Sequence, residues 1–110
     1  MGLGHTDLLR GTLDMLALKA LSVGPIHGWG LALRIGQLSR DALAVNQGSL
    51  YPALHRLELN GDVRSEMKPS ENNRKARVYT ITAAGRRRLE AEHKNWRQFS
   101  LSIQRVLETE

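Results

Sequence analysis

The apolar residues of this chain keep a helical period up to Gly61 and a period of two directly after it, and that switch constrains the fold more than any other feature. Upstream, Leu50, Ala53, Leu54 and Leu57 follow the i, i+3, i+4, i+7 spacing of one helical face. Pro52 has no backbone N–H to donate, which is harmless only near a helix start, so the helix is predicted to begin close to Gln47–Ser49. Gly61 suits the C′ position, in the left-handed conformation. Asn60-Gly61 also fits a hairpin turn, but the helical pattern runs straight into it, which favours the C-cap. Downstream, Val63–Met67 and Arg77–Ile81 alternate, the second run being rich in β-branched and aromatic residues. Lys68–Ala76 between them holds Pro, Ser and Asn and no apolar anchor. The two runs are predicted to form a β-hairpin with a long, mobile tip.

Helices are expected on both sides of this pair. Thr6 or Asp7 can cap a first helix running to about Leu21, with Leu9, Leu13, Leu16, Ala17, Ala20 and Leu21 as its buried stripe. Arg10, Asp14 and Lys19 then fall mostly on the other side, and Gly24-Pro25 breaks the helix. A second helix is predicted from His27 or Gly28 to Leu38. Trp29, Ala32, Leu33 and Gly36 share one of its faces, while Leu31, Ile35 and Leu38 extend the apolar surface, the pattern of a helix sandwiched between neighbours. Ser39-Arg40-Asp41 ends it, and Ala42–Val45 fits a short strand. Thr82 caps a last helix from Ala83 to about Leu107, in which Gly85 permits close approach by a neighbour. Leu89, Trp96 and Ile103 recur every seven residues, with Phe99 and Val106 three further on, as in a coiled-coil seam. Such a helix of ~25 residues is ~37 Å long at 1.5 Å per residue, more than one small domain covers. A second copy of the chain is expected on that edge; the alternative is packing on the chain's own first helix.

At 110 residues the chain is one domain. It contains no cysteine, which excludes disulfides, thiol catalysis and zinc fingers. His5, His27, His55 and His93 lie too far apart for a local metal motif, so no metal or other cofactor is expected. A Gly-rich phosphate loop, an HExxH motif and an evident carboxylate pair are all missing, which points away from an enzyme. Leu8–Leu21 is too short and too polar to span a bilayer. Met1–Thr6 matches an N-myristoylation pattern that is short enough to recur by chance. The expectation is a cytoplasmic protein without a membrane partner.

The formal net charge is +5, a balance that favours an anionic partner. Lys68, Arg74, Lys75 and Arg77 against Glu71 put a net +3 of it on the hairpin. Three helices, a two-stranded hairpin and a final helix form the order of a winged helix-turn-helix. The fold class is therefore mainly α with a small β-hairpin, divided into a DNA-binding domain over residues 1–82 and a dimerisation helix over 83–110. In such a module the third helix enters the major groove of double-stranded DNA while a basic wing touches phosphates or the minor groove. The open face of that helix offers Gln47, Ser49, Tyr51, His55 and Arg56. The wing offers Lys68, Arg74, Lys75 and Arg77 to phosphates, and Asn72 and Asn73 to phosphate oxygens or base edges.

Four segments carry a family resemblance: Leu8–Leu18 (LLRGTLDMLAL), Gly24–Trp29 (GPIHGW), Gly48–Leu57 (GSLYPALHRL) and Tyr79–Gly85 (YTITAAG). Together they resemble the PadR family of transcriptional regulators, in the family's order and over nearly the whole chain. The resemblance implies a homodimeric winged-helix repressor released from DNA by a signal, often a small aromatic compound. It also implies that Tyr51 meets the DNA backbone. Trp29 stands where many members have tyrosine, a change read as packing. The single C-terminal helix matches the family's short branch, in which a ligand would have to use the dimer interface.

Trp96 offers a stacking face for such a ligand, although a tryptophan in an apolar stripe is more often core. Leu89, Trp96, Phe99, Ile103 and Val106 are the candidate dimerisation residues. Arg86, Arg87 and Arg88 oppose the dipole at a helix start, which phosphate contact or solvent screening would offset. Two other functions compete with a regulator that binds an inverted repeat in duplex DNA. One is a winged helix used only for protein interaction; the other is binding of double-stranded RNA, whose narrow major groove would not admit the helix.

Overall fold

The computed structural model describes residues 5–70, 72 and 74–110. Along the chain it contains α1 (His5–Val23), β1 (Ile26–His27), α2 (Gly28–Leu38), α3 (Gln47–Leu59), β2 (Val63–Pro69), β3 (Lys75–Ile81) and α4 (Ala83–Leu107). The strands form one antiparallel sheet in the order β1-β3-β2. Four helices with a small sheet bear out the expected class, a mainly α winged helix.

The core gathers Ala17, Leu18, Ala20 and Leu21 of α1, Leu31 and Ile35 of α2, Leu50, Leu54 and Leu57 of α3, and Val63, Tyr79 and Ile81 of the hairpin. Two residues of α1 depart from the expected stripe. Leu18 is fully buried, and Asp14 is turned inward rather than to solvent. Its carboxylate accepts from Arg56 Nη2 at 2.9 Å, which satisfies a charge that would otherwise be costly to bury. α1 begins at His5, ahead of the Thr6 and Asp7 expected to cap it. At its other end Arg34 Nη1 donates to the carbonyls of Ala20 (3.1 Å) and Gly24 (2.6 Å), serving carbonyls that the helix end leaves open.

α2 is not sandwiched. Leu31 and Ile35 are buried, but Trp29 is 52% and Leu33 57% exposed, so Trp29, read as packing, is not enclosed by neighbouring elements. Its indole stacks instead on His27, with centroids 4.3 Å apart. His27 Nδ1 also caps α2 by accepting from Gly30 N at 3.0 Å. The predicted strand at Ala42–Val45 does not form either. Arg40 (φ 55°) and Asp41 (φ 64°) are both left-handed and turn the chain back on α2, where Asp41 N–H reaches Gly36 O at 2.8 Å. The strand that does form before the hairpin is β1, whose two residues pair with Tyr79 and Val78.

α3 is framed as its residues require. Asn46 Oδ1 accepts from Ser49 N at 2.9 Å, a standard N-cap. At the other end Gly61 (φ 79°) donates to Glu58 O and Asp62 to Leu57 O, the paired bonds of a Schellman motif. Leu50, Ala53, Leu54 and Leu57 are buried, as their spacing predicts. Pro52 lies in the second turn rather than the first, so the hydrogen bond to Gly48 O is forfeited. Both residues are exposed, so water can serve that carbonyl.

The hairpin is longer than its apolar pattern. Pairing continues through Lys68↔Ala76 to Pro69↔Lys75, which leaves only 70–74 as the tip, closed by Ser70 N–H to Arg74 O at 2.6 Å. Pro69 is tolerated because β2 is an edge strand. α4 starts at Thr82, whose Oγ1 accepts from Gly85 N at 3.0 Å and donates to Gly61 O at 2.7 Å. Gly85 lies against the Asp62 carbonyl with no room for a Cβ. Asp62 is buried and takes a 2.7 Å hydrogen bond from Arg88 Nη1, which accounts for one of the three consecutive arginines. Beyond Leu89, which packs on the core, α4 carries on with most of its apolar residues exposed, and the described molecule measures 59 × 27 × 23 Å.

Candidate nucleic-acid interface

α3 buries one face completely and exposes the other. Gln47, Ser49, Tyr51, Pro52 and His55 lie on the open face, beginning one residue after the Asn46 cap. Tyr51 leans over the start of α2: a Cβ on Gly28 would meet its ring, with Oη at 2.8 Å. The α2 glycine thus makes room for the tyrosine ring, which remains 40% exposed. Arg56 stands apart from this group. It is half-buried, and its ion pair with Asp14 ties the C-terminal half of α3 to α1.

The hairpin rises beside α3 with Lys68, Asn72, Arg74, Lys75 and Arg77 exposed. Among the described residues, Lys68 has Glu66 as its only ion-pair partner, at 3.5 Å, and no carboxylate pairs with Arg74 or Lys75. Arg77 Nη1 donates to Ser65 Oγ at 3.0 Å, and Ser65 in turn donates to Glu58 Oε2 at 2.7 Å. Asn73 and Glu71 lie outside the described residues, as does the Met1–Gly4 part of the myristoylation pattern. Two further residues border this surface without having been singled out in the sequence, and a third lies on the hairpin's other face. Arg64 is exposed on β2, on the face opposite Ser65, and Ser65 with Glu58 joins the hairpin to α3. Arg64 carries a charge signal that reading the apolar pattern passes over; the Ser65–Glu58 link has none.

The candidate dimerisation residues divide. Leu89 packs on its own chain, while Trp96 (42%), Phe99 (49%), Ile103 (42%) and Val106 (74%) are exposed on α4. The Trp96 and Phe99 rings are 6.2 Å apart, and with Gly11, Thr12 and Met15 of α1 they line an open groove of about 390 Å³. Among the described residues no cluster of His, Asp or Glu could hold a metal, and no helix is long and apolar enough to cross a membrane.

The family model described as "Transcriptional regulator PadR-like family" matches residues 17–91. The Mycobacterium tuberculosis transcriptional regulator Rv3488 is 43% identical over 80 residues, covering 73% of this chain and 71% of that protein. An uncharacterized 37.1 kDa protein in transposon TN4556 of Streptomyces fradiae is 43% identical over 79 residues, 72% of this chain but only 21% of its own length. Among solved structures, a PadR family transcriptional regulator from Eggerthella lenta superposes with a TM-score of 0.79 at 30% identity, over 96% of this chain and 89% of that one. The matched segment runs from the core of α1 to the first turns of α4 and takes in the whole of the α3–hairpin surface, and the chain belongs to the PadR-like family of transcriptional regulators.

Proposed function

We propose that this regulator is a repressor that binds an inverted repeat in duplex DNA as a homodimer. One observation carries the reading: a capped, exposed face of α3 stands beside a hairpin on which Arg74 and Lys75 have no acidic partner among the described residues. Gln47, Ser49 and His55 would read base edges in the major groove, and Tyr51 would meet the backbone. Lys68, Asn72, Asn73, Arg74, Lys75 and Arg77 would contact phosphates or the adjoining minor groove, releasing counterions. Arg56, held by Asp14, serves to position α3 on α1.

Residues 1–82 form the DNA-binding head in this reading and 83–110 the dimerisation helix, with the first turns of α4 anchored in the head. The exposed Trp96, Phe99, Ile103 and Val106 would face the same residues of a second copy. A small aromatic effector would stack on Trp96 in the groove against α1 and thereby alter the spacing of the two heads.

Selection of duplexes from a random pool by the full chain tests the proposal. Inverted repeats with half-site centres ~34 Å apart, or a multiple of it, are expected. Single unpaired half-sites would overturn the symmetric dimer, and no enrichment would overturn sequence-specific recognition. Equal competition by double-stranded RNA would remove the major-groove reading.

A further inference from the structure

Val63 and Ile81 seat the base of the hairpin in the core. Moving outward on the same face come Ser65 with Tyr79, and then Met67 with Arg77. Packing gives way to polar contact at the second of these pairs. Ser65 Oγ donates to Glu58 Oε2 at 2.7 Å and accepts from Arg77 Nη1 at 3.0 Å. A hydroxyl has one donor and two acceptor sites, so a single serine can connect a carboxylate to a guanidinium. Among the described residues Glu58 and Arg77 form no direct ion pair, so the link runs through the serine.

The position of this chain gives it its significance. Glu58 lies in the last turn of α3, Ser65 on the edge strand and Arg77 on the central strand, so three elements meet at one oxygen. Burial raises the pKa of the neighbouring Tyr79 hydroxyl; Arg77 lowers it, and Glu58 and Tyr51 raise it. A carboxylate there would repel phosphate, and the hydrogen bond from Ser65, itself backed by the Arg77 guanidinium, offsets its charge. Arg77 carries five N–H donors and spends one on Ser65, which leaves the outward-facing ones for an anionic oxygen.

We propose that Ser65 is a positioning residue for DNA recognition, which locks the hairpin at a fixed angle to α3 and holds Arg77 ready for phosphate through the Glu58–Ser65–Arg77 chain. The inference rests on the α3-and-wing reading above. Without the lock the hairpin can still attract phosphates at random, but its cations no longer arrive in register with bases read by α3.

Ser65→Ala in the full chain tests this, since it removes both links and leaves the net charge unchanged. Affinity is measured for a selected duplex and a random duplex, and amide exchange is followed through the hairpin of the DNA-free protein. Ser65→Ala is expected to lower the selected-to-random affinity ratio about tenfold, the size of one hydrogen bond to a charged group. Exchange from Lys68 to Lys75 should speed up, and Ser65→Thr, which keeps the hydroxyl on a residue suited to strands, should restore both. Equal losses on the two duplexes, or unchanged exchange, would overturn the positioning role. A wild-type chain that binds no duplex would instead overturn the α3-and-wing reading, and exchange would still decide whether Ser65 holds the hairpin.

Discussion

Helix propensity and packing make opposite predictions for Gly85→Ala. Alanine in place of helical glycine stabilises by up to ~1 kcal/mol where space allows. Here a Cβ would press into the Asp62 carbonyl oxygen, with Ile81 Cγ1 at 2.8 Å and the Asp62 carbonyl carbon at 3.0 Å. Backbone atoms cannot rotate aside as a side chain can, so α4 must lift from the turn that ends α3. That movement strains Thr82 N–H to Asp62 O (3.1 Å), Thr82 Oγ1 to Gly61 O (2.7 Å) and Arg88 to Asp62 (2.7 Å). Overpacking costs ~1–3 kcal/mol and a weakened helix cap ~1 kcal/mol. After the propensity gain the net loss is about 1–3 kcal/mol, or roughly 5–15 °C in Tm for a domain of this size. Thermal and urea denaturation at fixed protein concentration measure it, because the proposed dimer would make the midpoint concentration-dependent. A midpoint equal to or above that of the wild type would show that α4 takes the methyl group without lifting from Asp62.

Arg74→Ala combined with Lys75→Ala should lower the slope of log K against log salt by roughly 3 to 4, if both residues touch phosphate in each of two subunits. An unchanged slope would mean that the tip is only solvated. Ile103→Asp should give monomers at micromolar concentration with a folded head; a dimer in sedimentation would place the interface elsewhere. The Tyr79 hydroxyl has its pKa raised by burial, and a raised value contributes stability that is whole below the unfolded pKa of about 10 and lost as pH rises through the folded one. Urea midpoints should therefore fall above about pH 10 in the wild type and fall less in Tyr79→Phe.

Features set by neighbouring residues were legible in the sequence. Thr82 at the start of α4 and Gly61 at the end of α3 act within a few positions of themselves, so their roles follow from residue type. Features set across the chain were not. β1 exists only because Tyr79 and Val78 lie beside it, and no two-residue run announces a strand. Trp29 was read as packing on a helix apolar over much of its circumference, but the neighbours cover Gly28, Gly30, Leu31 and Ile35 and leave its indole half exposed. At the candidate site, helical geometry gave the open face from Gln47 to His55. The same geometry placed Arg56 on that face, and only Asp14, 42 positions away, draws it inward. The Ser65–Glu58 link was hidden because it needs the angle between hairpin and helix.

The Thr82 hydroxyl donates to Gly61 and accepts from Gly85, bridging 21 positions of sequence with one atom. The stop of α3 and the start of α4 are thereby completed in the same event, and only once the hairpin between them has closed. The entropy of closing that loop is recovered at both helix ends together, so these parts assemble as one cooperative unit rather than element by element. In a native-state exchange experiment the amide of Gly85 should open only with the whole molecule. The Ser70 amide, held only by the Arg74 carbonyl across the hairpin tip, should open on its own, long before.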